Sequence, residues 1–245
     1  MPDVIDGRTL PIPARLAHRP RDARGYLVPW FVAEVRPGVY DFRIADELKR
    51  RQAVRNGLCW TCGARLGQFK AFVVGPMCAI NRTSSEPPSH RDCATYAALA
   101  CPFLSRPQAR RRANDLPEHE PTGGLTISRN PGVTLVWITR SFRTFRTSPA
   151  DGPGVAAGWL VTMGDPVQVL AYAEGRAATT DELWASIVTG YPFLAEAARD
   201  QAGDAPQALR THLHAALAEL AGLRLVTGRQ LQAIDQDMPP VQLEA

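Results

Sequence analysis

Two short runs rich in β-branched and aromatic residues, 26–35 and 39–44, flank Arg36-Pro37-Gly38 near the start of the chain. The pattern predicts two strands around a Pro-Gly turn. Pro29 favours an edge position because it has no N–H to give to a ladder. Residues 45–56 are polar and helix-compatible, and Gly57 marks their end. Residues 69–74 read as a strand and Gly75-Pro76 as a turn. Ser89-His90-Arg91-Asp92 has the form of a capping box with Asp in place of Glu. Ser89 is therefore expected to cap a helix that runs to about Ala100.

In the second half, residues 135–146 form a long strand candidate. Residues 159–163 and 167–174 flank Gly164-Asp165-Pro166, which is a hairpin signal. Thr179-Thr180-Asp181-Glu182 is a second capping box. Leu183, Trp184, Ile187 and Val188 follow at helical spacing, with Gly190 as the expected stop. Pro192 and Pro206 occupy positions where helices begin. Leu209, Leu213, Ala216, Leu217 and Leu220 then define an amphipathic helix. The first 24 residues, with Pro11, Pro13 and Pro20, read as an extended arm, and the tail from about Thr227 as frayed. The expected organisation is an arm, hairpin and helix over 1–56, a finger over 57–105, a basic linker over 106–122, an α+β region over 123–226 and a tail over 227–245.

With 245 residues, 45% of them apolar and 21% charged, the chain can bury a core without help. No apolar run approaches the roughly 20 residues that a bilayer span requires. The N-terminal stretch has no hydrophobic segment resembling a signal peptide, so a cytoplasmic location is expected. Charge is distributed unevenly. Residues 1–115 carry 19 Lys and Arg against 10 Asp and Glu, a net +9, whereas residues 116–245 carry 9 against 14, a net −5. The basic half suits a polyanion, although a solvated basic face explains it equally well.

All five cysteines lie between Cys59 and Cys101. In a reducing compartment, such clustering points to a metal before disulfides. Cys59-Trp60-Thr61-Cys62-Gly63 has the form of a zinc knuckle: the two-residue gap turns both thiolates toward one ion, and glycine permits the tight backbone. His90 and Cys93 are three residues apart at a helix start, hence on one face. Knuckle, hairpin and then a helix whose first turn presents two ligands resembles the treble-clef zinc finger over residues 57–101.

The expected ligands are Cys59, Cys62, His90 and Cys93, holding Zn2+. Cys78, just past the Gly75-Pro76 turn, is the alternative to His90. Cys101 lies eight residues beyond Cys93, about 12 Å along a helix, too far to share the tetrahedron. An iron–sulfur cluster is the alternative cofactor, but the close cysteine run of ferredoxins is missing. Four protein ligands leave no position for an activated water, which makes the site structural. Arg65, Arg82 and Arg91 are candidates to offset its negative charge.

Arg110, Arg111 and Arg112, following the finger, and Arg91 on its helix are candidate phosphate contacts, with Arg50 and Arg51 also near in sequence. Arg140, Arg143 and Arg146 interleave with Phe142 and Phe145. This is the composition of a single-strand grip, although strand alternation divides the arginines between two faces and an edge guarded against pairing explains them more simply. No phosphate loop, nucleophile elbow, His-Glu-x-x-His or paired-carboxylate motif occurs.

The stretches RGYLVPWFV, GPMCAINR, EPPSHRDCA, CPFL, SRNPGVTLVWITR and GDPVQVLAYAEGRAATTDEL together resemble a family of bacterial and phage-associated proteins to which no activity is attached. The resemblance implies one evolutionary unit and nothing about chemistry. The sequence thus predicts an α+β fold, with a treble-clef-like zinc finger packed against a small antiparallel sheet and C-terminal helices. The expected function is that of a non-enzymatic binding protein meeting DNA or RNA through its basic half. A protein-interaction adaptor using Trp30 and Trp184, and an enzyme with a pocket between finger and sheet, are the alternatives.

Overall fold

Gly57 ends the first long helix in the left-handed conformation (φ 62°), as its place in the sequence predicts. A computed structural model describes residues 3–5, 8–106, 109, 130–152, 155–201 and 203–234. The strands β1 (Asp3–Ile5) and β2 (Arg8–Leu10) pair with each other, as do β3 (Val32–Arg36) and β4 (Val39–Ala45). Helix α1 (Glu47–Asn56) follows, N-capped by Asp46, whose side chain accepts from the Lys49 amide. Strand β5 (Lys70–Val74), the short helix α2 (Pro76–Ile80), strand β6 (Thr83–Ser84) and helix α3 (Arg91–Ala100) complete the first half.

The second half contributes β7 (Thr134–Thr139), β8 (Phe142–Thr147), β9 (Gly158–Met163), β10 (Pro166–Ala173) and β11 (Arg176–Ala177). Helices α4 (Thr180–Arg199), α5 (Ala205–Gly222) and α6 (Gly228–Gln232) end the described chain. The result is a mixed fold of helices and small antiparallel sheets. A four-stranded sheet in the order β11-β10-β7-β5 is central, and β6-β9-β8 forms a three-stranded sheet beside it.

Every residue of β7 is buried, because both faces of the central sheet are covered. Phe72, Val74, Leu135, Trp137 and Val169 face the core built with α2, α4 and α5. On the opposite face Ala71, Val136 and Ile138 pack against Ala94 and Ala98 of α3, where alanines let the helix approach closely. A third cluster joins Leu10, Leu16 and Leu27 to Cys59, Cys62, Cys93 and Tyr96. The arm expected at the N-terminus is thus partly folded onto the cysteines: Leu16 ends a turn of 3-10 helix and is 2% exposed.

The predicted hairpin at Gly164-Asp165-Pro166 is corrected. β9 does not pair with β10; β9 pairs with β8 (Phe142↔Met163 to Thr147↔Gly158), and β10 pairs with β7 (Pro166↔Thr139 onward). The two ladders continue one another, so residues 134–147 and 158–173 are the arms of one long bent hairpin. The long strand expected over 135–146 is one of these arms, kinked at Arg140-Ser141. Gly164 lies at the matching kink and donates its amide to the Ser141 carbonyl at 3.0 Å. A Cβ there would lie 2.6 Å from that same oxygen, so the glycine marks a close backbone approach rather than a turn.

Gly190 and Pro192 do not divide α4, which runs through both. Gly190 faces Met77 of α2, whose side chain lies 3.1 Å from where a Cβ would be, so it is a packing glycine. Packing of this kind overrides a weak propensity. The expected frayed tail likewise starts with order: Thr227 and Gln230 form a capping box for α6.

Candidate metal centre

The knuckle is closed by its own backbone. Leu58 and Arg65 form an antiparallel bridge, the Cys59 amide donates to the Ala64 carbonyl (2.7 Å), and the Gly63 amide donates to the Cys59 carbonyl (2.8 Å). Gly63 has φ 80°, and a Cβ on it would lie 2.9 Å from the Trp30 ring. Glycine is therefore needed here twice over, for conformation and for space. The Trp30 amide is fastened to the same loop by donating to the Thr61 carbonyl at 2.7 Å.

The second half of the site is brought in through β5. Ala71 and Ser89 exchange two backbone hydrogen bonds (2.9 and 2.7 Å), which sets the entry to α3 against the sheet. Ser89 does not cap α3, contrary to expectation. Its hydroxyl lies 2.7 Å from that of Thr61 and accepts from the Thr61 amide at 3.2 Å, tying the helix entry to the knuckle. His90 is the N-cap residue and makes no side-chain cap, while Cys93 lies in the first turn.

These constraints gather the ligand atoms of Cys59, Cys62, His90 and Cys93 to within 4.8 Å of one another. The three cysteines are buried and the histidine is half-buried. His90 Nε2 lies 2.9 Å from the Arg65 carbonyl, which can only accept, so Nε2 carries the proton. That leaves the Nδ1 lone pair aimed at the cluster, 3.4 Å from Cys62 Sγ and 3.9 Å from Cys93 Sγ. The four residues can hold a metal ion. Cys78 is elsewhere, in α2 against the main core, because Pro76 starts a helix rather than turning the chain back. Cys101 is the C-cap residue of α3 and stands outside the group.

The thiols differ in acidity. Hydrogen bonds from the Cys62 and Cys93 thiols, helped by the Cys62 and His90 amides (3.4 and 3.3 Å), pull Cys59 far below the ordinary thiol range. Cys62 and Cys93 are pushed up, foremost by their hydrogen bonds to Cys59. Arg82, expected nearby, is instead engaged with Glu219 and the Trp137 ring. The missed cation is Arg19. Partial burial lowers its pKa, opposed by Tyr40 and then Cys62, and it donates to the Val28 carbonyl at 3.0 Å. No spacing in the sequence announces it.

Of the candidate phosphate contacts, Arg91 is exposed at the start of α3, while Arg110, Arg111 and Arg112 lie outside the described residues. Arg50 is withdrawn from any such role: it is 8% exposed, donates to the Ser85 carbonyl and pairs with Glu47. Trp30 and Trp184 are half-buried in packing. An open cleft of about 360 Å³ between the ends of β7 and β10 and helix α4 is lined by residues including Asn130, Glu174, Glu182 and Ser186, and contains none of the metal-site residues. Among the described residues no helix is long and apolar enough to cross a membrane.

Comparison of the chain with protein-family profiles, with curated proteins and with solved structures finds no match.

Proposed function

We propose that the chain is a zinc-stabilised, non-enzymatic binding protein that contacts nucleic acid through its basic half. The observation that carries the metal reading is the convergence of three thiols and one imidazole, largely buried, to within 4.8 Å. Zinc–sulfur bonds of ~2.3 Å in a tetrahedron separate ligand atoms by ~3.8 Å, so the set suits one zinc ion better than an iron–sulfur cluster. With four protein ligands the shell is complete. The ion then holds structure, since no site remains for a water or substrate.

The arrangement also supports a treble-clef-like finger. The knuckle, β5 with its short return at Ser89, and α3 carrying His90 and Cys93 occur in that order. Helix α2 and strand β6 are inserted in the loop between β5 and the return.

Nucleic acid as the partner rests on the net +9 of residues 1–115 and on Arg91, exposed and without an ion pair among the described residues. The test is metal analysis of the purified protein together with a salt titration of nucleic-acid binding. One zinc per chain is expected, with affinity falling steeply as salt rises. Joint replacement of Arg110, Arg111 and Arg112 by alanine should flatten that salt dependence and leave the zinc content unchanged. A wild-type protein that binds no nucleic acid at low salt would return weight to a protein partner.

A further inference from the structure

The bent hairpin presents an unusual face. On the central sheet, Ala71, Val136 and Ile138 point toward α3, and alternation carries Phe69 and Arg140 to that same side beyond them. The Arg140 guanidinium lies 5.7 Å from the centre of the Phe69 ring. Past the kink, Phe142 packs edge-on against Phe72 in the main core (6.0 Å), so Arg143 and Phe145 point away from that core. Phe69, Arg140, Arg143 and Phe145 therefore line one side of the hairpin.

Each of these residues is exposed, Phe69 by 44% and Phe145 by 38%. Across β9, Arg143 stands opposite Thr162 and Phe145 opposite Leu160. Neither arginine has an ion pair among the described residues. The two strand arms, 134–147 and 158–173, hold a single carboxylate, Asp165, which lies 3.6 Å from Arg82. Edge protection accounts for arginines on β8, but it does not account for half-exposed aromatic rings between them, which raise the aggregation hazard an edge should avoid.

We propose that this face binds single-stranded nucleic acid, with Arg140 and Arg143 taking backbone phosphates and Phe145 stacking on an unpaired base. The inference rests on the nucleic-acid reading above and extends the contact beyond residues 1–115, to a hairpin of the second half whose exposed rings require the strand to be single. Positive charge on arms that hold a single carboxylate matches a polyanion, and exposed rings on an open sheet can stack only on bases that are not already paired. A duplex would offer such rings nothing but its phosphates.

The test is fluorescence-anisotropy titration of the full, zinc-loaded chain with a labelled single-stranded DNA of about 20 nucleotides and with the same sequence as a duplex. The single strand should bind more tightly. Phe145→Ala should weaken it roughly tenfold, in line with one lost stacking contact, and leave the salt slope unchanged. Arg143→Ala should weaken it and reduce the slope of log affinity against log salt by about 0.7. Both residues are exposed, and unchanged circular dichroism and thermal midpoint will confirm that the variants fold. Preference for the duplex, or wild-type affinity in both variants, would overturn this surface while leaving the nucleic-acid reading intact. Absence of binding to either probe by the wild type would overturn both.

Discussion

The Arg65 carbonyl lies 2.9 Å from Nε2 of His90, and this contact decides which nitrogen of the ring is available to a metal. A carbonyl cannot donate, so Nε2–H is fixed there and Nδ1 is free to ligate. His90→Ala is expected to reduce zinc affinity at least tenfold, since it removes both a ligand and the contact that orients it. Cys78→Ala should keep full zinc content, because Cys78 packs against the main core. Zinc content after dialysis against a graded chelator series distinguishes the two variants, and the opposite order would make Cys78 the ligand.

Zinc removal should loosen the N-terminal segment before the central sheet. Leu10, Leu16 and Leu27 pack on the cysteines, and Arg15 pairs with Asp92 of α3 at 3.0 Å. The ion should contribute on the order of 10 kcal/mol to that region. Hydrogen exchange of the stripped protein is expected to show loss of protection around residues 10–28 and 57–66, with β7 still protected. Zinc affinity should also fall with pH, because protons on Cys62 and Cys93, both held above the ordinary thiol range, must leave when the ion binds. Uniform exchange across the whole chain would mean that the metal centre and the sheet form a single cooperative unit.

The two glycines flanking the knuckle separate conformation from space. Both have positive φ, but a Cβ at Gly57 meets nothing within 4 Å, whereas one at Gly63 meets Trp30 at 2.9 Å. Gly57→Ala should cost about 1 kcal/mol. Gly63→Ala should cost more, about 2–3 kcal/mol, with reduced zinc retention. Trp30→Ala should partly rescue Gly63→Ala and not Gly57→Ala, as read by urea denaturation of the zinc-loaded protein. Equal costs at the two positions would show that the close approach of Trp30 adds nothing at Gly63.

The group of four residues that could hold a metal was legible because its members lie close in sequence: Cys59 to Cys62 and His90 to Cys93 each share one local turn. The capping box of Thr179 was legible for the same reason. What pattern reading lost depended on distant partners. Gly164 looks like a turn until Ser141 is placed against it, and Gly190 looks like a helix stop until Met77 is. Ser89 has a capping sequence, yet the knuckle offers its hydroxyl a partner in Thr61, and that tertiary bond wins. The segment before Arg19 reads as an arm because its leucines are sparse, and only the buried cysteines give them something to cover.

Glu182 provides a pH test of α4. Its hydrogen bond from Arg176 (2.6 Å), with those from the Thr179 amide and hydroxyl, holds its carboxyl down at about 2. A carboxyl lowered on folding stabilises fully above its unfolded value of about 4.3, and that stability is lost as pH falls from there toward 2. The pair is exposed, so the effect should stay below about 1 kcal/mol. Glu182→Gln keeps an acceptor for the cap and loses the charge. Its destabilisation relative to wild type should be present at pH 7, shrink as pH falls toward 2 and disappear only below it. A difference independent of pH would place the effect in the cap geometry and not in the charge.

Arg82 should fasten the C-terminal helices to the sheet without touching the metal centre. Its guanidinium lies 4.5 Å from the Trp137 ring centre, pairs with Glu219 of α5 and donates to the Gly164 carbonyl at 3.4 Å. The side chain is only 18% exposed, and Trp137 beneath it is fully buried. Asp165 also approaches, but it is too exposed to matter much. Arg82→Met keeps the length of the stem and removes three polar contacts together. It is expected to cost about 2 kcal/mol, with part of the cost arising because Glu219 and the Gly164 carbonyl lose a partner. Glu219→Gln should cost less, since a neutral acceptor remains. The double variant should then show a coupling of at least ~0.5 kcal/mol, as expected for residues in contact. Zinc content should stay at the wild-type level in all three, because the cysteine cluster and the main core share no residue. Additive costs would mean that the ion pair contributes nothing beyond its two separate surroundings, and loss of zinc would show that the corner at Gly164 communicates with the knuckle through β5.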